Sequence, residues 1–137
     1  MALAAAPAVR ALLRSEPAPA TAEHVRALVE AQVRENDWLD YKQSVPNDVA
    51  KCVAAFANGA GGVLLIGIEE EKGTRRPLLL GCPDPGATRE RVESAIASSV
   101  FPYVRHEFNL ISIDPNGVRH PRTKLHDDAT IAAAMLT

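Results

Sequence analysis

Apolar positions recur every three to four residues from Val49 to Phe56, stop at an Asn-Gly-Ala-Gly-Gly break, and resume as Val63-Leu64-Leu65-Ile66 with no polar member. The spacing of Val49, Cys52, Val53 and Phe56 predicts a core-facing helix starting near Asp48, with Asn47 after Pro46 as its N-cap. Asn58-Gly59 suits the left-handed end of that helix, and Gly61-Gly62 lets the backbone turn at once into the next element. An unbroken apolar run predicts a strand covered on both faces, and therefore a central one.

The flanking segments follow two other rhythms. Thr21 caps a predicted helix whose apolar positions are Val25, Leu28, Val29 and Val33. Trp38 to Gln43 alternates, with Leu39 and Tyr41 on one face and Asp40 and Lys42 on the other, which predicts a strand with a polar side. After the buried strand come the charged loop Glu70 to Arg76 and the apolar run Leu78-Leu79-Leu80, so a hairpin from 63–68 to 78–81 is expected. Thr88 is read as the cap of a third helix carrying Val92, Ala95, Ile96 and Val100 inward as far as Pro102, and Glu107 to Asp114 alternates as a further strand. Beyond the Pro115-Asn116-Gly117 turn, Val118 to Lys124 is polar and contains Pro121, a poor partner strand. Residues 115–137 are therefore expected to be an irregular or partly helical tail, residues 1–20 a flexible N-terminal segment, and 21–114 the folded domain.

Composition narrows the class without naming a function. The 137 residues are 47% hydrophobic, enough for one domain with a real core, and no stretch approaches the roughly 18 apolar residues of a membrane helix. Cys52 and Cys82 lack metal-ligand spacing, and His24, His106, His120 and His126 form no zinc pattern with them, so a reducing cytoplasm is the expected setting. The net charge of −2 excludes a protein that binds nucleic acid through its overall charge; such binding requires a local patch. The glycine loop before Val63 is not a P-loop, because the helix precedes it and no Lys-Ser/Thr follows.

Glu35, then Leu39-Asp40-Tyr41-Lys42, then Ala55-Phe56-Ala57-Asn58, Gly61-Gly62 and Ile66-Gly67-Ile68-Glu69, in that order and spacing, resemble the Schlafen AlbA-like domain. Asp40 and Tyr41 stand where that family usually has Glu and Phe, Gly59 stands for its usual Thr, and the family's C-terminal strand is not evident. The resemblance implies an α+β domain with a mixed, mainly antiparallel sheet packed by about three helices. Phe56, Asn58, Gly61, Gly62 and Gly67 are its structural motif. It also implies one of two activities: a DNA-binding module of the kind found in bacterial transcriptional regulators, or a metal-dependent endoribonuclease.

For the nuclease, the resemblance assigns Glu35, Asp40 and Glu69 as the catalytic, metal-holding acids, with Lys42 beside them. Two carboxylates about 4 Å apart repel by roughly 4 kcal/mol at an effective dielectric near 20, so such a trio needs a cation, Mg²⁺ or Mn²⁺. The plain alternative is a set of solvated acids at strand ends with Lys42 paired to one, an arrangement contributing under about 1 kcal/mol. For the binding module, Lys72, Arg75 and Arg76 put three cations into five loop residues that can track a phosphate backbone, with Lys42 as a fourth, and no cofactor is required. Trp38 or Tyr41 could stack on bases, one of them being core. The expectation is a nucleic-acid-binding module for DNA or RNA with no membrane association. The alternatives are the endoribonuclease and a protein-interaction domain that pairs with itself as a homodimer.

Overall fold

The computed structural model describes residues 21–59, 61–99, 106–113 and 129–136. The N-terminal segment 1–20, the helix stop at Pro102, the turn at Pro115 and the polar stretch 118–124 lie outside the described residues, as does the side chain of Asn58.

Three helices and six strands follow one another as α1 (Ala22–Glu30), β1 (Leu39–Lys42), α2 (Val49–Asn58), β2 (Gly62–Ile66), β3 (Ile68–Glu70), β4 (Pro77–Leu79), α3 (Pro85–Ser99), β5 (His106–Ile113) and β6 (Ala129–Leu136). Four strands form one sheet in the order β1-β2-β6-β5, and β3 with β4 forms a separate hairpin. Only β1 and β2 run parallel, Leu39 opposite Val63 and Lys42 opposite Ile66; the β2–β6 and β5–β6 pairs are antiparallel. This is the expected α+β architecture with a mixed, mainly antiparallel sheet.

The sheet divides the core in two, as alternation along each strand requires. On one side Val25, Leu28 and Val29 of α1 pack with Tyr41, Leu65 and Ile131 and with Ile68 of the hairpin. On the other side Val53 and Phe56 of α2 and Val92 and Ile96 of α3 pack on Leu64 and Ala134. Every residue from Val63 to Ile66 is fully buried, as expected of a strand with no polar member. Burial of each large side chain there contributes roughly 1.5–3 kcal/mol.

Local chemistry sets the helix starts. Thr21 caps α1 reciprocally: its Oγ1 accepts from the His24 N–H at 3.3 Å, and His24 Nδ1 accepts from the Thr21 N–H at 3.1 Å. For α2 the N-cap is Asp48, not Asn47, and no side-chain cap bond forms; the Asp48 carbonyl instead accepts from the Lys51 N–H at 2.9 Å. The third helix begins three residues before Thr88. Asp84 Oδ1 accepts from the Ala87 N–H at 3.1 Å, and Pro85 occupies the first helical position, where its missing N–H costs nothing. Thr88 is buried within the first turn.

Two further corrections concern strands. The expected hairpin arms 63–68 and 78–81 become Ile68–Glu70 and Pro77–Leu79, because Gly67 at φ 106° breaks the chain between β2 and β3. Residues 129–136 are a strand and not an irregular or helical tail. The strand β6 lies between β2 and β5. Its Ile131-Ala132-Ala133-Ala134 run is fully buried and shared between both core halves. Alanine favours helices by propensity, and a strand covered on both faces shows no alternation, which hid it.

Candidate nucleic-acid interface and carboxyl cluster

The alternation of β1 turns Leu39 and Tyr41 into the core, while Asp40 and Lys42 stay half-buried at the sheet edge. Tyr41 is anchored by its hydroxyl, which donates to the Val33 carbonyl at 2.6 Å. Lys42 Nζ lies 3.5 Å from Asp40 Oδ2. Burial works against the Lys42 charge, but Asp40, followed by Cys52 and Glu35, outweighs it and holds the pKa above the ordinary lysine value.

Glu35, from the loop before β1, meets Asp40 and Glu70. Burial first, then a hydrogen bond and charge repulsion from Asp40 and the charge of Glu70, raise its pKa from 4.5 to about 8. Asp40 Oδ1 and Glu70 Oε2 are buried and have no hydrogen-bond partner. A proton on Glu35 supplies that cluster with a donor as long as the pH is below about 8. Burial, followed by the charges of Glu35 and Glu70, also raises the Tyr41 pKa.

Of the three acids assigned from sequence, the structure brings Glu35 and Asp40 together and completes the group with Glu70. Glu69 is directed elsewhere, accepting from Gln43 Nε2 at 3.0 Å. Strand parity accounts for the difference: Ile68 is buried in the core, so Glu70, two residues on, faces the protein body and Glu69 faces away. Among the described residues no group of three or more His, Cys, Asp and Glu side chains is placed to hold a metal ion.

Because the folded-state pKa of Glu35 lies above its ordinary value, stability is fully present below pH 4.5 and falls as pH rises toward about 8. Glu35→Gln is expected to flatten that decline and to stabilise the protein at pH 8 by on the order of 1–2 kcal/mol, after allowance for solvent screening. Urea titrations at a series of pH values check it, and parallel curves for the two proteins would contradict the assignment.

The cations of the hairpin are less free than their spacing suggests. Arg75 Nε lies 3.6 Å from Glu70 Oε1, and Arg76 Nε lies 2.9 Å from Glu71 Oε1. Glu71 also accepts from the Thr74 hydroxyl at 2.6 Å, so one carboxylate organises the tip. Arg75 itself adopts φ 61°, a left-handed conformation closed by its N–H to the Glu71 carbonyl at 2.8 Å. Lys72 has no ion pair among the described residues.

Between β1 and α2 runs an open groove of about 760 Å³ whose walls include Trp38, Asp40, Lys42, Lys51, Cys52 and Phe56. Trp38 is 47% exposed. Phe56 closes the groove floor by lying over Gly62, where any Cβ would collide with its ring. Gly61, at φ 93°, donates its N–H to the Phe56 carbonyl at 3.1 Å. Phe56 thus lines the groove, and Gly62 leaves room for its ring.

The profile of the family described as Schlafen, AlbA_2 matches residues 35–128, which is more than half of the chain and contains every acid of the cluster. The chain belongs to the Schlafen AlbA_2 family. Among solved structures it is similar to the solution NMR structure of the N-terminal domain of a RecG-related protein from Nitrosomonas europaea. That likeness has a TM-score of 0.61 and 23% identity over 86% of this chain and 73% of the other, and it shows a shared fold. No curated protein sequence matches the chain. No helix among the described residues is long and apolar enough to cross a membrane.

Proposed function

We propose that this chain is a nucleic-acid-binding module, with DNA as its first candidate ligand, in a cytoplasmic regulator. Family membership supports the class. The observation that carries it on this chain is the hairpin tip, where Lys72, Arg75 and Arg76 stand within five residues and the two arginine side chains are 63% and 44% exposed. Their partners Glu70 and Glu71 do not forbid phosphate binding. Exposed ion pairs contribute about 1 kcal/mol or less, and a phosphate offers the same charge with a better fit to a guanidinium fork. Lys42, already paired to Asp40, is a secondary contact.

A salt titration tests this. Binding of a labelled oligonucleotide, followed by fluorescence anisotropy, is expected to weaken linearly with log salt. The Lys72→Ala/Arg75→Ala/Arg76→Ala variant is expected to lower the slope by up to about 3, since each neutralised phosphate contributes roughly 0.9 for duplex DNA. Binding that ignores both salt and the triple substitution would favour the protein-interaction domain, and self-pairing with it.

The endoribonuclease is a second reading, favoured by one observation: the buried carboxyl oxygens of Asp40 and Glu70 gathered beside Glu35. It requires Mg²⁺ or Mn²⁺, which would supply charge neutralisation at a phosphoryl oxygen, with Glu35, Asp40 and Glu70 as the acids in place of Glu69. The described placement does not by itself hold an ion. Incubating the same preparations with structured RNA and Mn²⁺ divides the readings. Cleavage abolished by Asp40→Ala supports the enzyme, and intact RNA leaves the binding module.

A further inference from the structure

The groove between β1 and α2 carries a feature that the hairpin does not explain. An indole is a large side chain seldom left open to water, yet Trp38 is 47% exposed at the groove wall. Its root is nonetheless fixed on both sides. The Trp38 N–H donates to Asn36 Oδ1 at 2.8 Å, and its carbonyl accepts from the Val63 N–H at 2.7 Å. Asn36 and Leu39 close the turn around it with bonds of 3.0 and 3.3 Å. With its backbone anchored, the indole has only two side-chain torsions to order when something stacks on it.

The lining states what that something is. Glu35, Asp37, Asp40 and Asp48 outnumber Lys42 and Lys51, so the groove does not follow a chain of phosphates. Carboxylates do accept from the exocyclic amino groups of bases, as Asp and Glu do from cytosine N4. Lys51 is exposed and has no ion pair among the described residues, which leaves one cation for a flanking phosphate. The volume, about 760 Å³, lies within the roughly 300–1,000 Å³ of small-molecule sites. A base inside a duplex stack cannot reach such a plate, whereas an unpaired one can.

We propose that this groove takes an unpaired nucleobase bearing an amino group from a single-stranded nucleic acid, stacked on Trp38 and read by the neighbouring carboxylates. This rests on the nucleic-acid-binding reading and adds the class of ligand: the hairpin holds backbone and the groove selects single strands.

Trp38 is the only tryptophan in the chain, so its emission reports on this site alone. Oligo-dC, oligo-dT and a duplex of equal length are titrated into the full chain at low salt, following both tryptophan emission and anisotropy. Oligo-dC is expected to quench the emission and to bind more tightly than oligo-dT. Trp38→Ala is expected to weaken oligo-dC binding roughly 5- to 100-fold while duplex binding is unchanged, and Trp38→Phe to recover most of it. A circular dichroism spectrum identical to that of the parent shows that the variants fold. Oligo-dC binding that ignores Trp38→Ala but still falls in the hairpin variant overturns this proposal and leaves the binding module standing. Equal affinity for oligo-dC and oligo-dT also overturns it, since the carboxylates would then read nothing. Failure of every oligonucleotide to bind removes the binding module itself, and this proposal with it.

Discussion

A chain lacking Ala129 to Thr137 is expected to show no cooperative unfolding transition and a poorly dispersed amide NMR spectrum. The strand β6 pairs with β2 over five positions and with β5 over eight, so without it those two strands have no common neighbour. Ile131 and Leu136 are essentially fully buried, and loss of each removes roughly 1.5–3 kcal/mol of burial. Total stability of a domain is about 5–15 kcal/mol, and the orphaned backbone groups of β2 and β5 add to the deficit. A truncated chain that still melts cooperatively at an unchanged temperature would show that the sheet order is wrong.

The second large effect concerns a single atom. Gly67→Ala is expected to destabilise the protein by roughly 2–4 kcal/mol, measured as a lower urea midpoint with an unchanged slope. Two costs combine. Gly67 sits at φ 106°, which side chains rarely adopt, and a Cβ there would come within 2.9 Å of the Gly81 backbone and 3.0 Å of the Ile131 side chain. The site cannot relax easily because three segments meet at it. The Gly67 N–H donates to the Lys42 carbonyl at 2.7 Å, and its carbonyl accepts from Leu80 and Gly81 at 2.9 and 2.7 Å. A loss below about 0.5 kcal/mol, typical of an open surface position, would contradict this account.

What the sequence reveals of this fold follows from how strongly each element constrains its own pattern. The helix-break-strand join at 49–66, the cap at Thr21 and the two faces of β1 were legible because each rests on a local rule of spacing or capping. The parallel pairing of β1 with β2 sets Asp40 at the edge of the sheet. The strand β6 was not legible, because burial from both sides leaves a uniform apolar run, and alanine in such a run favours the wrong element on propensity alone. That Glu35 lies beside Asp40 agrees with the spacing, whereas which of Glu69 and Glu70 joins them depends on where the strand breaks. Gly67 shifts that break by one residue relative to a continuous strand, and a shift of one exchanges the faces. The pairing of Arg75 and Arg76 with Glu70 and Glu71 depends on the hairpin closing, which composition does not report.

The position of β6 also bears on how the molecule comes into being. The strand made latest in this sheet occupies its interior, so β2 and β5 wait unjoined until residue 136 has left the ribosome. Until then both present open edges to other nascent chains, and closure must span long sequence separations, which slows folding. Production at low temperature or slow induction is therefore expected to raise the yield of native protein.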